Sequence, residues 1–271
     1  MFFPPHLAPQ FMDLIKPIWE SDHPDHIKLR VIWGMLAGCQ GAVISQLLKS
    51  RIGNKVFAGP FRGLELTEEM MKWHFSPTLL GTYEWELHHM IEKIIATSPR
   101  KILNVGCAHG YYSVGFAMRL PQATIYAYDT DPEMRKHCQE LAELNNVAER
   151  IVIDEQMTQE EFAKFSPDET FLLVDIEGAE VQLLDPIAAP ALQKMNMIVE
   201  LHDAIIEGES AIMTERFQNT HDVQIIPNAP FNFPLDKILG SDYVQDHFDN
   251  LIATWESRGG PTPYGVFMRK S

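Results

Sequence analysis

The sequence predicts a doubly wound α/β fold, in which a mostly parallel seven-stranded sheet follows an N-terminal helical accessory segment. From residue 101 onward, short apolar segments alternate with amphipathic segments of helical periodicity. The apolar segments are near-continuous runs such as FLLVDI, which is typical of parallel strands covered on both faces. Seven such segments occur, at 101–106, 124–129, 150–154, 171–176, 195–201, 223–227 and 264–270.

Two regions are predicted, with a boundary at residue 80. Residues 1–80 form the helical accessory segment, with two helices predicted over 8–50. Residues 81–271 form the sheet-containing domain. Its last third carries a long irregular stretch, 228–262, which is rich in aromatic residues. A connection of that length is often a lid or a binding loop, so we expect it to close over a ligand together with the accessory segment.

Capping residues predict where three helices begin. Ser21 or Asp22 precedes the second helix of the accessory segment and has the side chain of an N-cap. Thr82 is the predicted N-cap of a helix over 81–97. Pro132 is predicted at the first turn of the helix that follows the second strand, where its missing N–H costs nothing.

Composition narrows the function classes. The formal net charge is −15 and there is no run of Lys or Arg, which argues against a nucleic-acid partner. The cysteines are too few and too scattered for a disulfide framework or a zinc module, which favours free thiols in a reducing cytoplasm. They are Cys39, Cys107 and Cys138. The N-terminus lacks a basic n-region, so no signal peptide is predicted.

The nearest approach to a membrane span is the apolar run at 31–48. Gln40 and Gln46 interrupt it, and it barely reaches spanning length. We therefore expect a buried helix or a subunit-interface helix, no membrane partner, and a homodimer that forms through the N-terminal helices.

A glycine turn follows the first predicted strand, in ILNVGCAHGYYSVG. Gly106 and Gly110 permit a tight turn that brings backbone close to a ligand, at the start of a helix with free N–H groups. Asp129 ends the next strand, where an acid accepts the hydroxyls of a ribose. A dinucleotide fingerprint needs glycine two positions after the first, and Ala108 stands there. The pattern favours a nucleoside without phosphates, of which S-adenosylmethionine is the commonest.

Three stretches, NVGCAHGYYSVGFA, YAYDTDP and LLVDIEGAEVQLL, resemble the class I S-adenosylmethionine-dependent methyltransferases, and within them the FkbM-type family. The resemblance runs from about residue 81 to 205 and implies the Rossmann-like methyltransferase fold. It also implies which residues contact the cofactor. They are Asn104, Gly106, Cys107, Ala108, His109, Gly110, Asp129, Thr130, Glu155 and Gln156, with Met157 near the adenine.

Asn104 is a departure from the family pattern, because many relatives carry an acid there beside the methionine ammonium group. Glu84 or Glu86, in the first turn of the helix predicted over 81–97, is the alternative contact.

Two strand ends carry the predicted catalytic residues. Ligands of open α/β sheets bind outside the carboxyl ends of the strands. Side chains alternate along a strand, so Glu200 and His202 share one face, as do Asp175 and Glu177 on the neighbouring strand. If these faces coincide, Asp175, Glu200 and His202 converge. Glu180 has an ordinary interpretation as an acid in the first turn of a helix.

Three roles remain open for the converging residues. His202 is the natural general base for a hydroxyl acceptor, with Glu200 or Asp175 orienting its ring. Alternatively, the same three side chains hold Mg²⁺ or Mn²⁺, which lowers the pKa of the hydroxyl. They can also be paired for purely structural reasons.

The predicted function is therefore S-adenosylmethionine-dependent O-methylation of a small-molecule hydroxyl, on a secondary metabolite or a sugar. One alternative is an internal displacement within the cofactor that releases methylthioadenosine. A nicotinamide-dependent oxidoreductase is disfavoured by the missing third glycine. A non-catalytic module that binds the nucleoside is the remaining alternative.

Overall fold

A seven-stranded sheet is the centre of the fold. The computed structural model describes residues 8–72, 76–229, 231, 233–240, 247–256 and 262–270. Within these residues the strands are β1 Lys101–Val105, β2 Thr124–Tyr128, β3 Ile151–Asp154, β4 Thr170–Val174, β5 Asn196–Glu200, β6 His221–Ile226 and β7 Tyr264–Arg269. Their order is β3-β2-β1-β4-β5-β7-β6. Strands β1 to β5 are parallel, whereas β7 is antiparallel to both of its neighbours.

This sheet confirms the predicted fold class, and all seven predicted strands are present. The α-helices of the described ranges are α1 Ala8–Trp19, α2 Asp25–Ile52, α3 Ser76–Leu80, α4 His88–Thr97, α5 Tyr111–Arg119, α6 Pro132–Leu144, α7 Glu180–Leu183, α8 Glu209–Phe217, α9 Asp236–Leu239 and α10 His247–Ala253. Every residue of β4 is buried, because helices cover both faces of the sheet.

The accessory segment packs on the sheet-containing domain. Helix α2 contacts α3, α9 and α10. Its Ile44 and Leu48 are fully buried in the same hydrophobic cluster as Ile102 of β1. The two predicted regions therefore share a core, and the boundary at residue 80 stays a prediction. By length and composition alone, α2 could cross a bilayer, with a mean hydropathy of 1.5 over its most apolar window, of which 33 % is buried.

Two predicted helix caps are wrong. Helix α2 is preceded by Pro24, without a side-chain cap, and the Ser21 hydroxyl instead donates to a carbonyl at the end of α1. The Thr82 hydroxyl donates to a carbonyl of α3, 3.3 Å away. Helix α4 begins only at His88, because Glu84 adopts a left-handed conformation (φ 48°) that prevents a continuous helix from 81.

The predicted start of α6 is confirmed. Pro132 occupies the first turn, and the side chain of Asp131 accepts a hydrogen bond from the N–H of Glu133. This cap fixes the direction in which the chain leaves β2, and thereby the position of Asp129 just before it.

Candidate active site

The glycine turn draws the ends of β1, β2 and β4 together. The N–H of Gly106 donates to the carbonyl of Tyr128, and a side chain at 106 would run into the backbone carbonyl of Asp175. Gly110 precedes α5 with φ 90°, and a side chain there would meet Cys138. Both positions therefore require glycine, because each combines a positive φ with a close neighbour.

Asp129 connects this turn to the end of β2. One carboxylate oxygen accepts a hydrogen bond from the N–H of Ala108 at 2.8 Å, and the other accepts one from the N–H of Asp131 at 2.9 Å. Each oxygen retains a second lone pair. The carboxylate is thus fixed at the mouth of a cleft with acceptor capacity for the hydroxyls of a ribose.

This outer cleft, as we call it, has a volume of about 580 Å³ and lies outside the carboxyl ends of β1, β2 and β4. The order β2-β1-β4 places it where the strand order reverses, which is the usual ligand position in open α/β sheets. Five of the predicted cofactor residues line it: Gly106, Asp129, Thr130, Glu155 and Gln156. Met157 adds apolar surface among them.

A second cavity, the inner cavity, has a volume of about 120 Å³ and shares Gly106 and Asp175 with the outer cleft. The predicted residues that line it are Glu84, Asn104, Gly106, Cys107, Ala108, His109, Asp175 and Glu200. Every predicted cofactor residue except Gly110 therefore lines one of the two cavities. Met70 and Thr78 of the accessory segment also line the inner cavity, where sequence reasoning did not place them.

Glu84 lies in the inner cavity, whereas Glu86 lines a separate cavity on the other side of the chain. The Glu84 carboxylate is buried and accepts a hydrogen bond from the Tyr112 hydroxyl. Asn104 is also buried, and its amide donates to the Ser113 hydroxyl at 2.8 Å. Of Glu84 and Glu86, the two acids named above as alternatives to Asn104, only Glu84 lines this cavity.

Backbone strain is concentrated around the two cavities. Glu84, Ala108 and Glu177 have φ values of 48°, 44° and 55°, in the left-handed region that side chains disfavour. All three line the outer cleft or the inner cavity. Such conformations persist where the surrounding structure imposes them, and they cluster at ligand sites.

Asp175 is the acid at the junction of the two cavities. Val174 of β4 pairs with Val199 of β5, so Asp175 lies beside Glu200. The buried Oδ1 of Asp175 has no hydrogen-bond partner within the described part of the chain. Burial, together with the nearby charges of Glu200 and Glu84, raises the pKa of Asp175 to about 9. No Lys or Arg is among the described residues that line the inner cavity, so the site favours a positively charged ligand.

His202 converges with Asp175 and Glu200, and one ligand atom from each side chain lies within 4.8 Å of the others. However, His202 is only 3 % exposed and lines neither cavity. Its Nε2 lies 3.6 Å from Oδ1 of Asp175 and 3.4 Å from Oε2 of Glu177. The imidazole therefore lies behind the two acids that face the cleft.

Glu180 holds the other side of the ring, a contact that sequence reasoning missed. Its Oε1 lies 3.1 Å from Nδ1 of His202, and its carboxylate accepts the N–H groups of Ile176 and Gly178 at 2.9 Å. Burial lowers the pKa of His202, but the Glu180 carboxylate outweighs it, so that the pKa is raised. The only signal in the sequence is the spacing of the acids in DIEGAE, which also fits a helix start.

Glu209, at the start of α8, lies behind the imidazole and belongs to no motif in the sequence. It is fully buried, and one of its oxygens accepts the N–H of His202 at 2.5 Å. Burial is the main reason that its pKa is raised to about 7. Glu209 thus fixes the backbone of His202, while the ionised carboxylate of Glu180 lies beside the imidazole ring.

Two sets of these side chains have the composition and spacing of a divalent-metal site. One set is Asp175, Glu200 and His202, and the other is Glu180, His202 and Glu209. Only the first set includes a residue that lines the outer cleft, Asp175. Only a metal ion held by that set could therefore also contact a molecule bound in the outer cleft.

No family model and no curated protein matches the chain. Among solved structures, it is similar to the O-methyltransferase TomG from Streptomyces achromogenes, involved in tomaymycin synthesis and in complex with S-adenosylmethionine (12 % identity, 72 % of this chain and 83 % of that chain, TM-score 0.45). It is also similar to an O-methyltransferase from Bacillus cereus in complex with S-adenosylhomocysteine (12 %, 66 % and 78 %, TM-score 0.44).

A third similar structure is precorrin 8w decarboxylase from Methanobacterium thermoautotrophicum (18 % identity, 66 % of this chain and 90 % of that chain, TM-score 0.43). At these identities and TM-scores, none of the three similarities carries an inference about the activity of this chain.

Proposed function

We propose that this protein is an S-adenosylmethionine-dependent methyltransferase of the FkbM type. We propose that it is cytoplasmic and that it methylates a hydroxyl of a small molecule such as a secondary metabolite or a sugar. The observation that carries this proposal is the pair of joined cavities at the reversal of strand order. The outer cleft is lined by Asp129, an acid placed to accept the hydroxyls of a ribose. The inner cavity is lined by the carboxyl groups of Glu84, Asp175 and Glu200. A nucleoside with a positively charged substituent fits both cavities, with its ribose in the outer cleft and its charge beside the acids of the inner cavity.

Residues of the two cavities would bind different groups of S-adenosylmethionine. Asp129 would accept the ribose hydroxyls, and Met157 would pack against the adenine in the outer cleft. Glu84 would hold the methionine ammonium group in the inner cavity, because its carboxylate is already fixed by Tyr112. Asp175, which lines both cavities, would lie beside the positive charge between the two halves.

When bound, S-adenosylmethionine supplies a methyl group that its sulfonium already activates. The protein then has to orient the acceptor hydroxyl and take its proton. We assign proton acceptance to Asp175, since its side chain lines both cavities and the charge of a bound sulfonium would favour its ionised form. We assign His202 a positioning role, because it is buried and acts on the cleft only through Asp175 and Glu177.

Cofactor binding tests the proposal directly. We expect Asp129→Ala to weaken S-adenosylhomocysteine binding by about tenfold or more, since two hydrogen bonds between ribose hydroxyls and a charged group are lost. Isothermal titration calorimetry measures this, with Glu149→Gln, an exposed acid on the turn before β3, as the control. If the unaltered protein binds NAD and not S-adenosylhomocysteine, the nicotinamide alternative replaces the proposal.

A metal-assisted reaction is the second candidate, and the spacing of Asp175, Glu200 and His202 favours it. Oε1 of Glu180 lies 3.1 Å from Nδ1 of His202, and Nε2 is the ring nitrogen near Asp175. If a metal takes part, exhaustive EDTA treatment abolishes methyl transfer and Mg²⁺ or Mn²⁺ restores it. We expect activity to survive EDTA if Asp175 accepts the proton unaided.

Product analysis separates methyl transfer from the internal displacement. Methylthioadenosine formed without any acceptor would show the internal displacement. S-adenosylhomocysteine formed only when an acceptor is present would show methyl transfer.

A further inference from the structure

A third cavity lies on the other side of the segment that carries Glu84. It has a volume of about 390 Å³ and is bounded by α2, the turn at 85–86, the stretch that follows β6, and the end of α10. We call it the aromatic cavity, because four of its walls are the rings of Trp33, Trp85, Phe231 and Trp255. None of the proposed cofactor residues lines it.

The rings of the aromatic cavity form two contacting pairs. The ring centroids of Trp33 and Trp255 are 5.3 Å apart at an interplanar angle of 72°. Those of Trp85 and Phe231 are 4.9 Å apart at 35°. The indole N–H of Trp85 donates to the carbonyl of Ala229 at 2.7 Å, which fixes the plane of that ring. Fixed indole faces are the best aromatic partners of a cation.

Two carboxylates, Glu86 and Glu256, also line this cavity. Glu86 accepts a hydrogen bond from the amide of Asn228 at 3.2 Å, and Glu256 accepts one from the N–H of Glu84 at 2.7 Å. Among the described residues that line the aromatic cavity, none is Lys, Arg or His. The chain as a whole has a formal net charge of −15, which adds to the attraction of a cation.

The aromatic cavity adjoins the inner cavity. Tyr83 lines the inner cavity, and burial together with the charges of Glu84, Asp175, Glu200 and Glu256 raises its pKa. Tyr83 is therefore close to acids of both cavities. The backbone hydrogen bond from Glu84 to Glu256 joins the walls of the two cavities.

We propose that the aromatic cavity binds a positively charged nitrogen carried on a compact apolar group and, resting on the proposed function, that the methyl acceptor carries such a group. Tryptophan faces stabilise the cation and its alkyl substituents, while Glu86 and Glu256 supply the opposite charge. A neutral group of the same shape receives only the apolar contacts.

Choline and its uncharged carbon isostere, 3,3-dimethylbutan-1-ol, form a matched pair of probes. Both are titrated calorimetrically into the 271-residue protein saturated with S-adenosylhomocysteine, so that choline is kept out of the inner cavity. We expect choline to bind at least tenfold more tightly than the alcohol. Equal binding of the two probes, or no binding of either, would overturn the proposal.

Two variants localise the binding. We expect Glu86→Gln, which keeps the shape of the side chain, to weaken choline binding about fivefold. We expect Trp85→Leu to weaken it about tenfold. Glu149→Gln makes the same change of charge at a remote exposed site, and should leave choline binding unchanged. If Glu86→Gln binds choline as tightly as the unaltered protein does, choline binds elsewhere and the proposal is wrong.

Separate titration of S-adenosylhomocysteine keeps this inference distinct from the proposed function. If S-adenosylhomocysteine does not bind, choline is titrated into the ligand-free protein, and choline binding that depends on Glu86 then means that the proposed function fails and the cation site stands. If S-adenosylhomocysteine binds and choline does not, the cation site is the part that fails.

Discussion

Replacement of Asp175 by Asn is expected to lower the turnover of methyl transfer by about 100- to 10,000-fold, which is the range for the loss of a general base. Asn keeps the size and shape of the side chain but cannot accept the proton. Because Asp175 is the acid that lines both cavities, we expect no other single conservative change to be as damaging. Steady-state kinetics with saturating cofactor measure the effect, and S-adenosylhomocysteine binding should change little.

His202→Ala provides the comparison that distinguishes a base from a positioning residue. We expect about a tenfold loss of turnover, since the imidazole is 3 % exposed and reaches the cleft only through Asp175 and Glu177. The opposite order, with His202→Ala more damaging than Asp175→Asn, would place the base at His202. Glu180→Gln should resemble His202→Ala, because it removes the charge beside Nδ1.

Cofactor affinity is expected to depend on pH for the charged cofactor and much less for its neutral product. The pKa of Asp175 is raised to about 9 in the unliganded protein, so the carboxyl group is mostly protonated at pH 7. A sulfonium beside it favours the ionised form, and binding therefore releases a proton. The affinity for S-adenosylmethionine should rise as the pH increases from 7 to 9 and then level off.

S-adenosylhomocysteine lacks the sulfonium charge but carries the same amino-acid group, so it is the internal control. The ratio of the two affinities should increase by up to about 50-fold between pH 7 and pH 9, because the fraction of ionised Asp175 in the unliganded protein rises from about 1 % to about 50 %. Calorimetry at several pH values measures this ratio. In Asp175→Asn the ratio should stay constant over this range. A slope that persists in that variant would assign the proton to another group.

The seven strands and several residues of the candidate site can be predicted from local patterns in the sequence. The seven strands were predicted because each is a short apolar run bounded by turn residues, and a buried parallel strand leaves that signature directly in the sequence. The position of Asp129 followed from the glycine turn and the strand after it. The convergence of Asp175 with Glu200 followed from the alternation of side chains along neighbouring strands.

Helix starts and the choice between neighbouring acids did not follow from the sequence. Thr82 has the side chain of an N-cap but bonds to the preceding helix, because Glu84 turns the chain before α4 begins. The same turn sends Glu84 into the inner cavity and Glu86 into the aromatic cavity. The left-handed conformation of a residue other than glycine has no signature in the sequence, because tertiary contacts impose that conformation.

The sequence by itself determined the sheet, the glycine turn and the set of acids at the strand ends, because periodicity and turn chemistry are local properties of the chain. Only the tertiary structure decided which of these groups face the ligand cavities. It buried His202 between Asp175 and Glu180, and it brought Glu209 from a distant helix to the backbone of His202. Depth below the surface depends on contacts between segments far apart in sequence, and no local pattern records it.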